Sequence, residues 1–470
     1  MIKKRFITDI LSTVASNLLV VISGLFSGFI IPKMLGVTQY GHYKLFSLYD
    51  SYAPLLHLGF VDGVLLLLAG KSYVDLKKSK IRSYTFFFFL MECVISLLLI
   101  MIGIFAFDNY LKLLLIFLSL DILALNITSY YQAISQGTMR FKELSIRKIL
   151  LSILKIILVV FLILIYHFKI VPSVTANMYI FGLVAIDISL TFWYVYTYRD
   201  LTFGERVPLV TITPELVQLF KNGFVLTISF QVANVIVLLD QQFVSIFFSN
   251  RAYSLYAFAY NIISLGLTVI GAVSLVLLPT LRKLDVKKIV QNFSQSLSYM
   301  TIIASLLLSG YFVIKIIIIK VLPIYNESLE ILSVSFPCLL LISCIDIIIF
   351  TYYKALNKHK YYFMLSCFVL VVSIAIDYFT CILFKSTVAM AAATVIIMTF
   401  WYLISEMYFV FVHKVRWLKN FIYLIMSMCI FYVIEYLNYN YFMSFMLYLS
   451  VQCLVIFCFY RYELKLLKHK

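Results

Sequence analysis

IPKMLGVTQYGHYKLFSLY, residues 31–49, decides how the chain is read. It joins two long apolar stretches. Pro32, Gly36 and Gly41 interrupt the first, and the second starts at Tyr43. So short a turn between such stretches predicts a helical hairpin. The layout returns in FFSNRAYSLYAFAYNII, residues 247–263, where YSLY stands 213 residues after YGHY. A second pair, YYQAISQ at 130–136 and YYKALNK at 352–358, is offset by 222 residues. Two matches at similar offsets predict a duplicated unit of about six helices, the weak internal symmetry common in secondary transporters.

Composition sets the solvent. Of 470 residues, 63% are hydrophobic and 13% charged, against about 25% charged in soluble domains. Apolar runs of 18 or more residues, each able to cross roughly 30 Å of hydrocarbon as a helix, occur throughout. Barrel strands alternate over about ten residues instead, so the expectation is an all-α polytopic membrane protein. Lys3, Lys4 and Arg5 precede an apolar run with no small-residue cleavage site, which reads as the first span rather than a signal peptide. The eight cysteines lack metal-ligand spacing. The net charge of +17 lies beside the apolar runs, which fits a membrane topology signal and not nucleic-acid binding.

Spans are expected near 8–32, 42–68, 83–106, 112–133, 148–167 and 173–198, then 217–247, 254–280, 296–320, 329–353, 361–383 and 387–412, with two more at 418–436 and 441–461. That makes about 14 transmembrane helices. This spacing puts 28 of the 38 basic residues on one side, and a miscounted span would scramble the alternation. Both termini are therefore expected in the cytoplasm. The break at residues 204–214 divides a six-helix bundle (1–200) from a second (215–415), and 416–470 adds two helices that read as lipid-facing, either peripheral packing or an assembly surface.

The chain resembles the bacterial polysaccharide and lipid-linked oligosaccharide flippases of the multidrug/oligosaccharidyl-lipid/polysaccharide exporter superfamily. The resemblance rests on PKMLGVTQYGHYKLF after one N-terminal span, on LLDQQFVSIFFSNRAYSLYAFAYNI at 238–262, and on YYKALNKHKYY at 352–362. It implies two six-helix bundles forming an inverted V and alternating access around a cavity lined by helices 1, 2, 7 and 8. It implies an undecaprenyl-pyrophosphate-linked oligosaccharide as cargo, moved to the outer leaflet of the bacterial inner membrane for O-antigen, capsule or exopolysaccharide. A polysaccharide polymerase, a chain-length regulator and membrane lipids are the implied partners, with no nucleic acid. The alternative is an ion-coupled drug or metabolite exporter of the same fold. A membrane synthase fits poorly, because the chain has no large loop and no GxxxxGK[ST] motif.

Polar groups inside spans are costly, and so mark transport sites. The path candidates are Asn17, Asp50, His57, Gln231, Asn234, Asp240 and Tyr260. Each has a structural reading beside the functional one. Asn17 is also a close-packing residue, Asp50 a static interhelical pair, and His57 a satisfied core histidine. Asp240 could equally brace the second hairpin through Tyr253 or backbone amides. Lys44, Lys221 and Arg251 near the span ends are candidate headgroup contacts, or ordinary interface cations. No arginine lies mid-membrane in the expected cavity helices, a departure from pyrophosphate-lipid flippases. No metal, cofactor or catalytic residue is expected, and coupling to an H+ or Na+ gradient is left open.

Overall fold

The computed structural model describes the backbone of residues 2–107, 109–281, 284–415, 418–437 and 439–468. It describes side chains from residue 19 onward, except those of 109, 272–276, 278–280, 359 and 462–468. Every regular element described is helical, as hydrocarbon requires of a chain that must satisfy its own backbone groups. Among the described residues, thirteen helices are long and apolar enough to cross a membrane. The sequence pattern led to fourteen. The difference lies at the first turn, where residues Leu19–Leu56 form one run.

That run includes most of α1 (Ile2–Asp50), which continues through Gly36 at φ 70, ψ 172. Only glycine adopts this conformation without strain. The chain still reverses there. Ser23 bonds the Ser152 carbonyl at mid-helix in α6 (Phe141–His167). Past Gly36, Gln39 accepts from the Ala176 amide, and the Tyr110 hydroxyl donates to the His42 carbonyl. The chain then follows α5 (Asn109–Gly137) to its far end, where the Gly70 amide meets the Gly137 carbonyl at 3.0 Å. On the way it breaks into α2 (Ala53–Leu56) and α3 (Phe60–Leu68).

The chain divides into two compact units, Met1–Gln231 and Val232–Lys470. The first is completed by α4 (Lys78–Ala106), α7 (Ala176–Thr197), α8 (Arg199–Thr202) and the start of α9 (Leu209–Phe247). Phe88 stacks between Phe60 and Tyr130, at 5.2 and 5.1 Å between centroids. Such ring pairs contribute about 0.5–1.5 kcal/mol each beyond area burial.

The second unit holds the rest of α9, then α10 (Asn250–Leu281), α11 (Val286–Leu307), α12 (Gly310–Val321), α13 (Ser328–Ser335) and α14 (Cys338–Ser343). A π-helical turn, Cys344–Ile349, leads into α15 (Phe350–Ala355). Then come α16 (His359–Phe384), α17 (Thr387–His413), α18 (Leu418–Leu437) and α19 (Tyr441–Lys468).

The tyrosine pairs of the two matched motifs make corresponding bonds. Tyr130 shares a hydrogen bond with Thr85 on α4, and Tyr352 with Ser296 on α11. Tyr131 reaches Thr202 on α8, and Tyr353 donates to the Ser405 carbonyl on α17. All four tyrosines are fully buried.

The last two helices are joined to the second unit by polar side chains. Tyr423 on α18 shares a 2.6 Å hydrogen bond with Ser305 on α11 and accepts from Gln452 on α19 at 2.7 Å. Asn420 accepts from Ser298 and Tyr460. Glu435 takes an ion pair from Lys315 at 2.6 Å and a hydrogen bond from Tyr311. Polar bonds in a dry interior hold helices together more specifically than lipid-like packing does.

Candidate functional site

The site starts from a break in the second membrane passage. His57 ends α2, and its Nδ1 accepts from the Gly59 amide at 3.2 Å. Leu58 and Gly59 have left-handed backbones, with φ 51 and 88. For Leu58 that conformation costs about 1–3 kcal/mol, so the break is imposed by its surroundings. The imposing contact is a backbone crossing. A Cβ on Gly63 would collide with the Leu219 carbonyl of α9, and one on Gly223 with the Gly59 carbonyl. Gly59 and Gly63 form a small-xxx-small pair, which lets helices approach this closely in lipid.

Beside the crossing lies a cavity of about 300 Å³. Its polar wall includes His57, Asp62, Gln132, Gln136, Thr227 and Gln231. The Thr227 hydroxyl donates to Asp62. His57 and Gln231 are thus brought together, as two of the path candidates. Gln132 and Gln136 escaped the sequence reading, which used YYQAISQ only as a repeat marker. Their i, i+4 spacing places both on one helix face, and that was the available signal.

A second group is charged. Arg147 on α6 pairs with Asp187 on α7 at 3.6 Å, with both side chains buried. Asp50, at the end of α1, and Asp121, on α5, lie within the electrostatic reach of Asp187 and of Lys155. Arg147 and Lys155 are two turns apart on α6. Asp50 Oδ1 and Asp121 Oδ1 have no hydrogen-bond partner among the described residues. Three carboxylates against two cations leave one acid to be neutralised by a proton, a cation or a ligand donor. Among the described residues no group of three or more His, Cys, Asp or Glu side chains forms a metal-holding set.

In the second unit, Asp240 is a braced residue. It accepts from the Tyr256 hydroxyl at 2.7 Å, the Thr394 hydroxyl at 2.6 Å and the Gln241 amide at 2.6 Å. These bonds join α9, α10 and α17. The expected amide contact is present, while the tyrosine is Tyr256 in place of Tyr253. Tyr260 donates to the Val237 carbonyl at 2.9 Å. Asn234 is half-buried on α9, and Asp346 is exposed on the π-helical turn, whose other residues are buried. Turns of that kind recur at functional sites.

Of the basic candidates, Lys44 sits 5.6 Å from the Tyr40 and Tyr43 rings. Arg251 pairs with Glu327 at 2.7 Å on an exposed surface. Lys221 is exposed on α9. The Asn17 side chain lies outside the described residues.

At the basic end of the first unit, Asp200 receives Lys78 at 2.8 Å and the Tyr73 hydroxyl at 2.7 Å. Burial alone would raise its carboxyl. The two donors outweigh burial and hold it below the ordinary 3.8. Burial pushes the neighbouring Tyr198 phenol up to about 12, against the opposing pull of Ser135 and Arg140.

The fold has counterparts among solved structures. The lipid II flippase MurJ, in an inward closed conformation, is 18% identical. It superposes with a TM-score of 0.72 over 97% of this chain and 99% of its own. The likeness is one of fold. An inward-facing multidrug resistance MATE transporter of the MOP superfamily matches at 11% identity and TM-score 0.63, over 86% of this chain and 96% of its own. The Vibrio cholerae MATE transporter VcmN matches at 11% and 0.56, over 87% and 97%. No protein-family model matches the chain, and no curated protein matches it.

Proposed function

We propose that this chain is a flippase for undecaprenyl-pyrophosphate-linked oligosaccharides. It carries them from the cytoplasmic to the outer leaflet of the bacterial inner membrane by alternating access, for surface polysaccharide synthesis. The observation that carries the reading is the reach of the MurJ match, 97% of this chain, against 86% and 87% for the two MATE transporters. The protein performs no covalent chemistry in this reading. Its termini face the cytoplasm, and a polymerase and chain-length regulator act downstream on its product.

The polar cavity at His57, Asp62 and Gln231 contacts cargo hydroxyls. The charged group around Asp50 takes up a proton or Na+ that couples transport to a gradient. Asn17, Asn234 and Tyr260 extend the path, Asp240 braces it, and Lys44, Lys221 and Arg251 meet the diphosphate near the membrane surfaces. The test is leaflet-resolved movement of lipid-linked sugars in reconstituted vesicles, with and without ion gradients. Gradient-driven movement of the sugar lipid is expected. Dye export with no sugar-lipid movement would replace this reading with a drug exporter.

A further inference from the structure

A second cavity, of about 580 Å³, opens at the basic end of the first unit, on the other side of the α3–α9 crossing. Lys71, Lys77 and Lys80 edge it, and Leu66, Leu67 and Leu219 form its apolar side. Leu66 and Leu67 are 50% and 37% exposed. Apolar surface and ammonium groups side by side are what a lipid presents in reverse, a phosphate joined to hydrocarbon.

The charges do not cancel. Glu215 is committed at both oxygens, to Lys80 at 2.5 Å and to the Tyr84 hydroxyl. Lys71 has no ion pair among the described residues. Lys77 acts on Glu215 only through space. Asp75 is the one opposing carboxylate left in the lining. The first turn of α4 carries no side-chain cap, so its amides add positive potential there.

The rim is also held in shape. Gly70, at φ 81, follows the end of α3 and bonds Gly137, and the Lys71 amide bonds the Leu68 carbonyl. Tyr73 lies under the Arg140 guanidinium at 4.3 Å, with its hydroxyl on Asp200. Leu76 is buried in the core. A rim fixed at both sides loses little freedom when a ligand arrives.

We propose that this cavity binds the phosphate-bearing headgroup of an anionic membrane lipid, with Lys71 and Lys77 on the phosphate and Leu66 and Leu67 along the first methylenes. The site stands whether or not the chain flips lipid-linked sugars.

Native mass spectrometry of the full-length protein, titrated with phosphatidylglycerol, tests it. Wild type should retain one tightly held lipid. Lys71→Gln with Lys77→Gln should weaken retention by about fivefold per lysine, while Lys142→Gln, an exposed lysine of α6 outside the cavity, should leave it unchanged. Asp75→Asn should tighten it. Equal weakening by all three lysine changes would overturn the site in favour of diffuse surface charge, as would unchanged retention in the double variant. Inorganic pyrophosphate binding as tightly as the lipid would overturn the lipid assignment. Matching size-exclusion profiles confirm that the variants are folded.

Discussion

Asp50 and Asp240 are both acids within apolar helices, yet they have different surroundings. Asp240 has three donors, so Asp240→Asn replaces a fully bonded carboxylate with an amide whose NH2 faces donors. Loss of charge-assisted bonds costs about 1.5–3 kcal/mol, and a thermal melt in detergent should fall by several degrees. Asp50 has an oxygen without a hydrogen-bond partner among the described residues. Asp50→Asn should therefore leave the melt and the abundance near wild type while transport drops sharply. Full transport across pH 5.5–8 (an assay window) would show that no charge is needed there. Asp200 gives the pH-dependent case. Its carboxyl is depressed, so its contribution is complete above the ordinary carboxylate value and is lost as pH falls through the lower folded value. Acid titration of the melt should show a loss below about pH 4 that Asp200→Asn reduces, while Glu215, held down by Lys80 and Tyr84, keeps its share. The sequence showed that Asp50 and Asp240 sit in costly places. It could not show which had donors, because those come from Tyr256 on α10 and Thr394 on α17, far along the chain.

Between elements, the decisive contact is the glycine crossing of α3 with α9. Gly63→Ala would press a methyl into the Leu219 carbonyl, and overpacking of this kind costs about 1–3 kcal/mol. Gly271→Ala, with no atom of the described residues within 4 Å of the added carbon, should be neutral or raise the melt, since alanine favours a helix by about 1 kcal/mol. Equal melts for the two variants would rule out the crossing as a constraint. Apolar periodicity made the helices legible, because a span announces itself by composition. The break at His57 was not legible. It depends on Gly223 meeting Gly59 across more than 160 residues of chain, and only Leu58 in a left-handed conformation reveals it locally.

For the whole molecule, the alternation of basic residues predicts an odd-even reporter pattern. Fusions after Lys80, Arg147 and Lys470 should report cytoplasm, and fusions at Asn250 and Lys385 the outside. An external C-terminus would sink the proposed topology. The duplicated motifs were legible as words, YYQAISQ and YYKALNK, and their matching bonds to Thr85 and Ser296 give those words a shared job in each unit. What the sequence concealed was the attachment of the last two helices. Their aromatic composition reads as lipid-facing, while the bonds of Asn420, Tyr423 and Glu435 turn one side inward. This sets an order of assembly. Ser305 leaves the ribosome 118 residues before its partner Tyr423, roughly 6–24 s at about 5–20 residues per second. For that interval the polar stripe of α11 and α12 stands in the bilayer without its final partners. Nascent chains halted in the last fifth of the message would keep that stripe bare, and membrane quality-control proteases would meet them as unfinished protein.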